Sequence, residues 1–416
     1  VRPGTVRAKL HKRMCVVPLS AVRHGTKVDG MTSADTIHPF RIDIPQAALD
    51  DLNDRLSRAR WTDDGPGEPG EYGTSTDLVR RLAAYWRDGY DWRAQEAKIN
   101  EYPQFTTEID GQTIHFLHVR SPEPDAFPLI LTHGWPGSFV EYLKVIGPLT
   151  DPAAHGGDRA DAFHLVIPSI PGFGFSGPTK EKGWGITRTT KAWAELMRRL
   201  GYARYGAGGN DGGSFIAPQL GRLAPEQVAG VHVTQVFSYP SGDPAEFERL
   251  TEDERQAMGI LQWFMENKLS FNTLQSQQPQ TLAHALADSP VGLLGWNLQL
   301  FAAGTPGEVV PDDDFILTNV ALYWLTGTAG SAMRFYYEMA HEEVPTTGGA
   351  AAEPTTVPLG VASFEGDMRP FRTFAERDHS NIVQWNLYKE PGGHYAAHME
   401  PEVMARDIRG FFRGLR

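Results

Sequence analysis

The segment Gly208-Gly209-Asn210-Asp211-Gly212-Gly213-Ser214 constrains the fold more than any other part of this chain. It follows the short apolar stretch Tyr205-Gly206-Ala207 and precedes Phe215-Ile216-Ala217-Pro218-Gln219-Leu220, a run that can open a helix. Small residues flank Asp211 on both sides, at Gly209 and at Gly212, Gly213 and Ser214. That is the pattern of a nucleophile elbow, a strained strand-to-helix turn with no room for bulky neighbours. A carboxylate at its tip would form an ester with its target, where a serine would form an acyl-enzyme. A glycine-rich surface turn fits the same seven residues, so the elbow needs support from elsewhere.

The flanking pattern supplies an α/β framework. Pro45 starts a predicted helix with Leu49, Leu52 and Leu56 on one face and Trp61 at its end. A second helical stretch runs from Thr76 to Gly89, and a short one follows Asp91-Trp92-Arg93. Phe105 to Val119 alternates about the turn dipeptide Asp110-Gly111 and predicts a hairpin. Leu129 to Thr132 and Phe163 to Pro168 are continuous apolar runs, as in strands buried on both faces. Thr189 to Leu200, stopped by Gly201, reads as a helix. Val228 to Val233, Val357 to Phe364 and Ile382 to Tyr388 supply later strands. Such alternation predicts a mostly parallel sheet with helices on both faces. Residues 238–340 break it: they are rich in Trp, Phe and Gln, helical in period, and predict an inserted lid.

Charge and cysteine content exclude several function classes. A net charge of −12 argues against a nucleic-acid partner. The single cysteine, Cys15, rules out an intrachain disulfide and suits a reducing compartment. No run approaches the ~18 apolar residues of a membrane span, so the expectation is a soluble, cytoplasmic protein. The leader, residues 1–36, carries seven Lys or Arg against two Asp and is expected to be disordered, upstream of a chain that begins at Met31. Met14 to Val22 faintly resembles a signal peptide, but Pro18 interrupts it and no cleavage site follows. A dinucleotide-binding Gly-x-Gly-x-x-Gly begun at Gly206 has Asp211 in its last position, and no Gly-x-Ser-x-Gly surrounds Ser176 or Ser214. His115 and His118 would point to opposite faces of a strand, and His133, His232 and His398 read as structural residues or as supports behind a site, rather than as metal ligands. Neither a cofactor nor a metal site is expected.

Six motifs in order carry a resemblance. They are His133-Gly134-Trp135-Pro136, Pro171-Gly172-Phe173-Gly174-Phe175-Ser176, the Asp211 turn, Asp288-Ser289-Pro290-Val291-Gly292-Leu293, Arg334-Phe335-Tyr336 and Gly392-Gly393-His394-Tyr395-Ala396-Ala397. By these the chain resembles the microsomal-type epoxide hydrolase family of the α/β-hydrolases, over nearly all of Ile37 to Arg416. The resemblance implies an extension over 37–125 that wraps the core and leads into its first strands. It implies core parts at 126–237 and 341–416 around a lid at 238–340. It also implies an enzyme, one of detoxification, with a small-molecule epoxide as its partner. The oligomeric state is not legible, a homodimer being one form open to it.

The chemistry can be argued from the residues beside that resemblance. A strained ether ring needs a nucleophile at carbon, which Asp211 supplies, and a proton donor at oxygen. Water must then split the Asp211 ester, and His394 suits the base because imidazole titrates near neutrality. A carboxylate should orient His394. Asp367 follows a predicted strand and lies 27 residues before His394, the family's spacing; Glu365 is its rival. By resemblance, the backbone N–H groups of Trp135 and Gly212 receive the oxyanion, and Tyr336 protonates the epoxide oxygen. Without the family, Phe335-Tyr336-Tyr337 reads as packing aromatics.

Two residues depart from the family. A second ring-opening tyrosine is expected four residues before a lid glutamine, yet Phe271 stands there before Gln275, with Tyr239, Tyr323 and Tyr337 as substitutes to weigh. Gly212 stands where the family places Trp. The competing readings are a haloalkane dehalogenase, which shares the ester logic, and a non-catalytic ligand-binding protein on the same scaffold.

Overall fold

The computed structural model describes residues 36–68, 70–302, 309–342 and 353–416. Apart from Thr36, the predicted leader lies outside the described residues. One sheet organises the chain. Its strands are β1 (His38–Phe40), β2 (Gln104–Ile109), β3 (Gln112–Val119), β4 (Phe127–Thr132), β5 (Phe163–Pro168), β6 (Tyr205–Gly209), β7 (Val228–Val233), β8 (Leu359–Phe364) and β9 (Ile382–Tyr388). They lie in the order β1-β2-β3-β5-β4-β6-β7-β8-β9. From β5 to β9 every pairing is parallel, while β1, β2 and β3 add an antiparallel flank beside β5. The two apolar runs read as doubly covered strands, Leu129 to Thr132 of β4 and all of β5, are buried, as is every residue of β6, β7 and β8. β9, at the edge, is only partly covered.

The core helices are α1 (Gln46–Ser57), α2 (Thr76–Asp88), α3 (Trp92–Ile99), α4 (Leu143–Thr150), α5 (Ile186–Arg199) and α6 (Gly212–Leu223). Then come α7 (Pro244–Glu248), α8 (Glu252–Asn267), α9 (Ser270–Gln277), α10 (Pro279–Asp288), α11 (Pro290–Phe301), α12 (Asp313–Thr326) and α13 (Ala329–Ala340), all between β7 and β8. The chain closes with α14 (Arg372–Asp378), α15 (Ala396–Met399) and α16 (Pro401–Phe412). Both faces of the sheet are covered, as neighbouring residues of β7 show. Gly230 faces Phe411 of α16, whereas Val231 faces Gly221 of α6. Successive strand residues point to opposite sides, so α6 and α16 lie on opposite faces.

The helix from Gln46 stops at Ser57, short of Trp61. Its last inward residue is Leu56; beyond that no apolar position has a core to meet. Trp61 is instead exposed, with the Arg80 guanidinium over its ring. The N-terminal helices grip the inserted ones: α11 packs on α1 and α2, and α12 on α2 and α3. Polar ties join the same elements, Arg81 to Asp313 (2.5 Å) and the Tyr85 hydroxyl to Asp314 (2.7 Å). Among the described residues no helix is long and apolar enough to cross a membrane.

Candidate active site

Asp211 sits between β6 and α6 with φ 50° and ψ −115°, outside the regions open to most side chains. Tight packing of backbone on backbone holds it there. A Cβ on Gly213 would stand 1.9 Å from the Thr132 carbonyl oxygen, so only glycine lets α6 start this close to β4. A Cβ on Gly134 would fall 2.0 Å from Asp211 Oδ1, so the loop after β4 is equally bare beside the carboxylate. The predicted elbow is therefore present, with its helix starting at Gly212, three residues before Phe215.

The Asp211 carboxylate is polarised by what faces each oxygen. The Trp135 N–H donates to Oδ1 (2.9 Å), and His394 Nε2 lies 4.0 Å from Oδ2. Burial raises the Asp211 pKa above the usual carboxylate value; His394 and the backbone N–H groups of Trp135 and Gly212 oppose that rise. His394 comes from the loop after β9. Its Nδ1 faces Asp367 Oδ1 at 3.3 Å, from the loop after β8. Glu365 is exposed, and what it offers the histidine loop is its carbonyl, which accepts the Gly393 N–H (2.9 Å). Burial alone would lower the His394 pKa. Asp367 above all, then Asp211 and Glu141, overcome this and raise it to about 9.

The inserted helices bring aromatic rings over this group. Tyr336, on α13, is buried and meets Trp135 edge-on, with ring centres 5.9 Å apart. Phe271, on α9, stacks on Trp135 at 5.7 Å and lies edge-on to Tyr336 at 6.0 Å. Burial, followed by the Asp211 charge, drives the Tyr336 pKa well above 10, so its phenol keeps the proton. Of the tyrosines weighed as substitutes at Phe271, Tyr337 is exposed and stacks on His341. Tyr323 donates its hydroxyl to the Gly137 carbonyl (2.6 Å). Tyr239, pushed up to about 12 mainly by burial, also feels the Asp211 charge.

Comparison with known proteins gives this geometry a lineage. Residues 37–142 match the family model for the epoxide hydrolase N terminus, and residues 128–350 that for the alpha/beta hydrolase fold. The chain is 42% identical over 387 residues to a relative from Stigmatella aurantiaca, covering 91% of this chain and 86% of that one. It is 33% identical to epoxide hydrolase 1 of Sus scrofa over 407 residues, 91% of this chain and 88% of that one. The chain belongs to the epoxide hydrolase family. Among solved structures, the hydrolase resembles the Aspergillus niger epoxide hydrolase with a TM-score of 0.79 and 30% identity, over 92% of this chain and 97% of that one. The juvenile hormone epoxide hydrolase of Bombyx mori gives a TM-score of 0.80 and 26% identity, over 91% and 95%.

Three polar residues that sequence reading passed over also meet at the hydrolase's site. Asn210, next to the elbow, donates to the His394 carbonyl (2.9 Å) and accepts from Thr234 (2.7 Å). Gln235, just beyond β7, touches Asp211, Asp367 and His394. Glu141 lies in the turn Phe139–Tyr142. Neither of its carboxylate oxygens has a hydrogen-bond partner, and burial raises its pKa to about 8. The neighbouring donors are committed elsewhere, the Tyr142 hydroxyl to the Thr132 carbonyl (2.8 Å) and the Asn210 amide to His394. Glu141, Asn210, Thr234, His394 and Tyr395 face a cavity of about 20 Å³. An acidic residue inside the apolar run after Trp135-Pro136 was the one available signal for Glu141; Gln235 offered none.

The other histidines weighed in the sequence are each held by a hydrogen bond. His115 lies between Ser169 Oγ (2.9 Å) and Gln104 Oε1 (3.0 Å), and His118 meets the Tyr202 hydroxyl (2.8 Å). His232 pairs with Asp407 (2.6 Å) and His398 with Asp312 (2.7 Å). His133 Nε2 accepts the Ile170 N–H (3.2 Å). Among the described residues, no three His, Cys, Asp or Glu side chains converge as a metal site would require.

Proposed function

We propose that the hydrolase opens its epoxide through a covalent Asp211 ester, beneath a lid formed by the helices from α7 to α13. The observation that carries this reading is the different surroundings of the two Asp211 oxygens. Oδ1 rests on the Trp135 N–H, leaving Oδ2 on the His394 side to attack an epoxide carbon. Attack forms the Oδ2–C bond and breaks the ring C–O bond, and the freed oxygen takes the Tyr336 proton. Water then adds to Cγ while His394 takes its proton. The charge that develops on Oδ1 is met by the N–H groups of Trp135 and Gly212. Collapse breaks the Cγ–Oδ2 bond; the leaving alkoxide takes the proton of the added hydroxyl, which releases the diol with the Oδ2 atom and restores the carboxylate, and the proton on His394 passes through solvent to the Tyr336 phenolate.

The electrostatics support this order of events. In the free enzyme His394, at about 9, is an imidazolium and no base at neutral pH. Ester formation neutralises Asp211, which after Asp367 supplies the charge that holds that proton. The imidazole pKa therefore falls at the step that needs a base. Asp367 remains to orient the ring and stabilise the imidazolium when it forms again.

Intact mass of a His394→Gln variant tests the reading, after exposure to aryl epoxides, alkyl epoxides and haloalkanes. The expected product is an adduct of one whole epoxide mass, absent when Asp211→Asn is added. An adduct equal to a haloalkane less its hydrogen halide would instead make the ester that of a dehalogenase. No adduct from any compound would overturn the covalent route.

A further inference from the structure

Asp211, Asp367 and His394 come from three different loops, and one amide touches all three. Gln235 lies two residues beyond β7, the strand between β6, which leads into the elbow, and β8, whose following loop carries Asp367. Its side chain is buried, 3% exposed. Its Oε1 accepts the backbone N–H of Asp211 (2.9 Å). Its Nε2 donates to Asp367 Oδ1 (3.0 Å) and lies 3.1 Å from His394 Nδ1.

We propose that Gln235 is a positioning residue that braces the nucleophile and at the same time weakens the grip of Asp367 on the His394 proton. This rests on the Asp211 ester reading above. The first half follows from the elbow. Asp211 is held at a positive φ that a non-glycine residue rarely adopts, and its part-buried N–H has Gln235 Oε1 as its acceptor. Losing that acceptor leaves the N–H unsatisfied where the carboxylate must be aimed within fractions of an ångström.

The second half follows from a shared oxygen. Asp367 Oδ1 receives Gln235 Nε2 (3.0 Å), the Met368 N–H (2.7 Å) and His394 Nδ1 at the longer 3.3 Å. Nε2 must be free to take a proton from water, which places the remaining imidazole proton on Nδ1. The Gln235 amide then competes with that N–H for Oδ1 and also faces it as one donor against another. Both effects disfavour the imidazolium. Gln235 thus lowers the His394 pKa against the pull of the carboxylates, which favours the neutral base in the hydrolytic step.

Gln235→Met and Gln235→Glu separate these roles. Met keeps the volume and removes both hydrogen bonds. Glu keeps an acceptor for the Asp211 N–H and places a further anion beside His394. Rapid-quench mass spectrometry with styrene oxide, from pH 6 to 10, reads ester formation and ester hydrolysis separately. For Gln235→Met we expect ester formation about tenfold slower, as for one lost buried hydrogen bond, and a pH profile of ester hydrolysis displaced to higher pH. For Gln235→Glu we expect a smaller loss of ester formation and a larger displacement to higher pH. Variants that melt at lower temperature yet keep the wild-type rates and pH profile would overturn the proposal and leave Gln235 a packing residue. His394→Gln in the same assay keeps the two readings apart. If that variant accumulates no ester, the covalent reading fails; if it does, while both Gln235 variants behave as wild type, only the bracing role fails.

Discussion

At the scale of single residues, the site is governed by three carboxylates around one imidazole. His394 has a folded pKa of about 9 against an unfolded value of roughly 6.5. A raised pKa means that the folded state binds the proton more tightly. The resulting stability is complete below about pH 6.5 and is lost as the pH rises through 9. Glu141 acts in the same direction, from an unfolded value of roughly 4.3 to about 8, because burial disfavours its anion. Melting temperature should therefore fall between pH 6.5 and 9. In Glu141→Gln one of these titrations is gone and His394 loses one supporting charge, so the decline should be shallower. A decline as steep as in the wild type would mean that Glu141 is not part of this balance. The proposed ring opening turns on Tyr336 and its neighbour Phe271. Tyr336→Phe should slow ester formation by about 10²–10³-fold, the loss expected for one missing donor. Phe271→Tyr should speed it by restoring a hydroxyl beside Trp135, and an unchanged rate would show that Tyr336 suffices alone. Asp211, Tyr336 and His394 were legible as candidates because each lies in a short motif, such as Gly392-Gly393-His394, and Asp367 because it follows a predicted strand at a set distance from His394. Glu141 and Gln235 were not, because the folded chain brings them to His394 from remote loops and no local pattern marks them.

At the scale of elements, the elbow rests on a difference between two adjacent glycines. A Cβ on Gly212 would meet nothing nearer than 3.5 Å, its neighbours being the His133 carbonyl, Ile170 and Phe335. A Cβ on Gly213 would run into the Thr132 carbonyl, and backbone cannot rotate aside as a side chain can. Gly212→Ala should therefore keep the wild-type stability to within about 1 kcal/mol, the scale of helix propensity, and with it nearly the wild-type melting temperature. Gly213→Ala should cost about 3 kcal/mol or more, the upper range for overpacking, and separate β4 from α6. Equal melting temperatures for the two would disprove this account of the elbow. Sequence pattern located the strands from β2 onward but not β1, placed α1, α2, α3 and α5, and read the insertion only as helical, since burial on one face or on both leaves a periodic trace. It set the helix after the elbow at Phe215 and not at Gly212. The first turn of that helix is two glycines and a serine, residues that carry no hydrophobic period. The turn is helical because β4 and β6 leave it no other course.

At the scale of the whole molecule, the question is what keeps the inserted helices, and with them Tyr336 and Phe271, over Trp135. The N-terminal helices pack on the insertion from outside, and two kinds of contact join them. The ion pair between Arg81 and Asp313 is short, but its side chains are 55% and 35% exposed. Water screens such a pair, and it contributes about 1 kcal/mol at most. Leu82, one residue along α2, is fully buried in the core that includes Leu293, Leu294 and Leu298 of α11. Truncating a buried leucine costs about 2–5 kcal/mol. Leu82→Ala should therefore lower stability several times more than Arg81→Ala, as urea titrations would show. Hydrogen exchange locates the effect. If α2, α11 and α12 form one cooperative unit, Leu82→Ala should lower amide protection in all three. Ester formation should slow as well, because Tyr336 is carried on the same insertion. Protection lost in α2 alone, at an unchanged rate, would make the N-terminal helices an independent layer and leave the inserted helices to hold themselves in place.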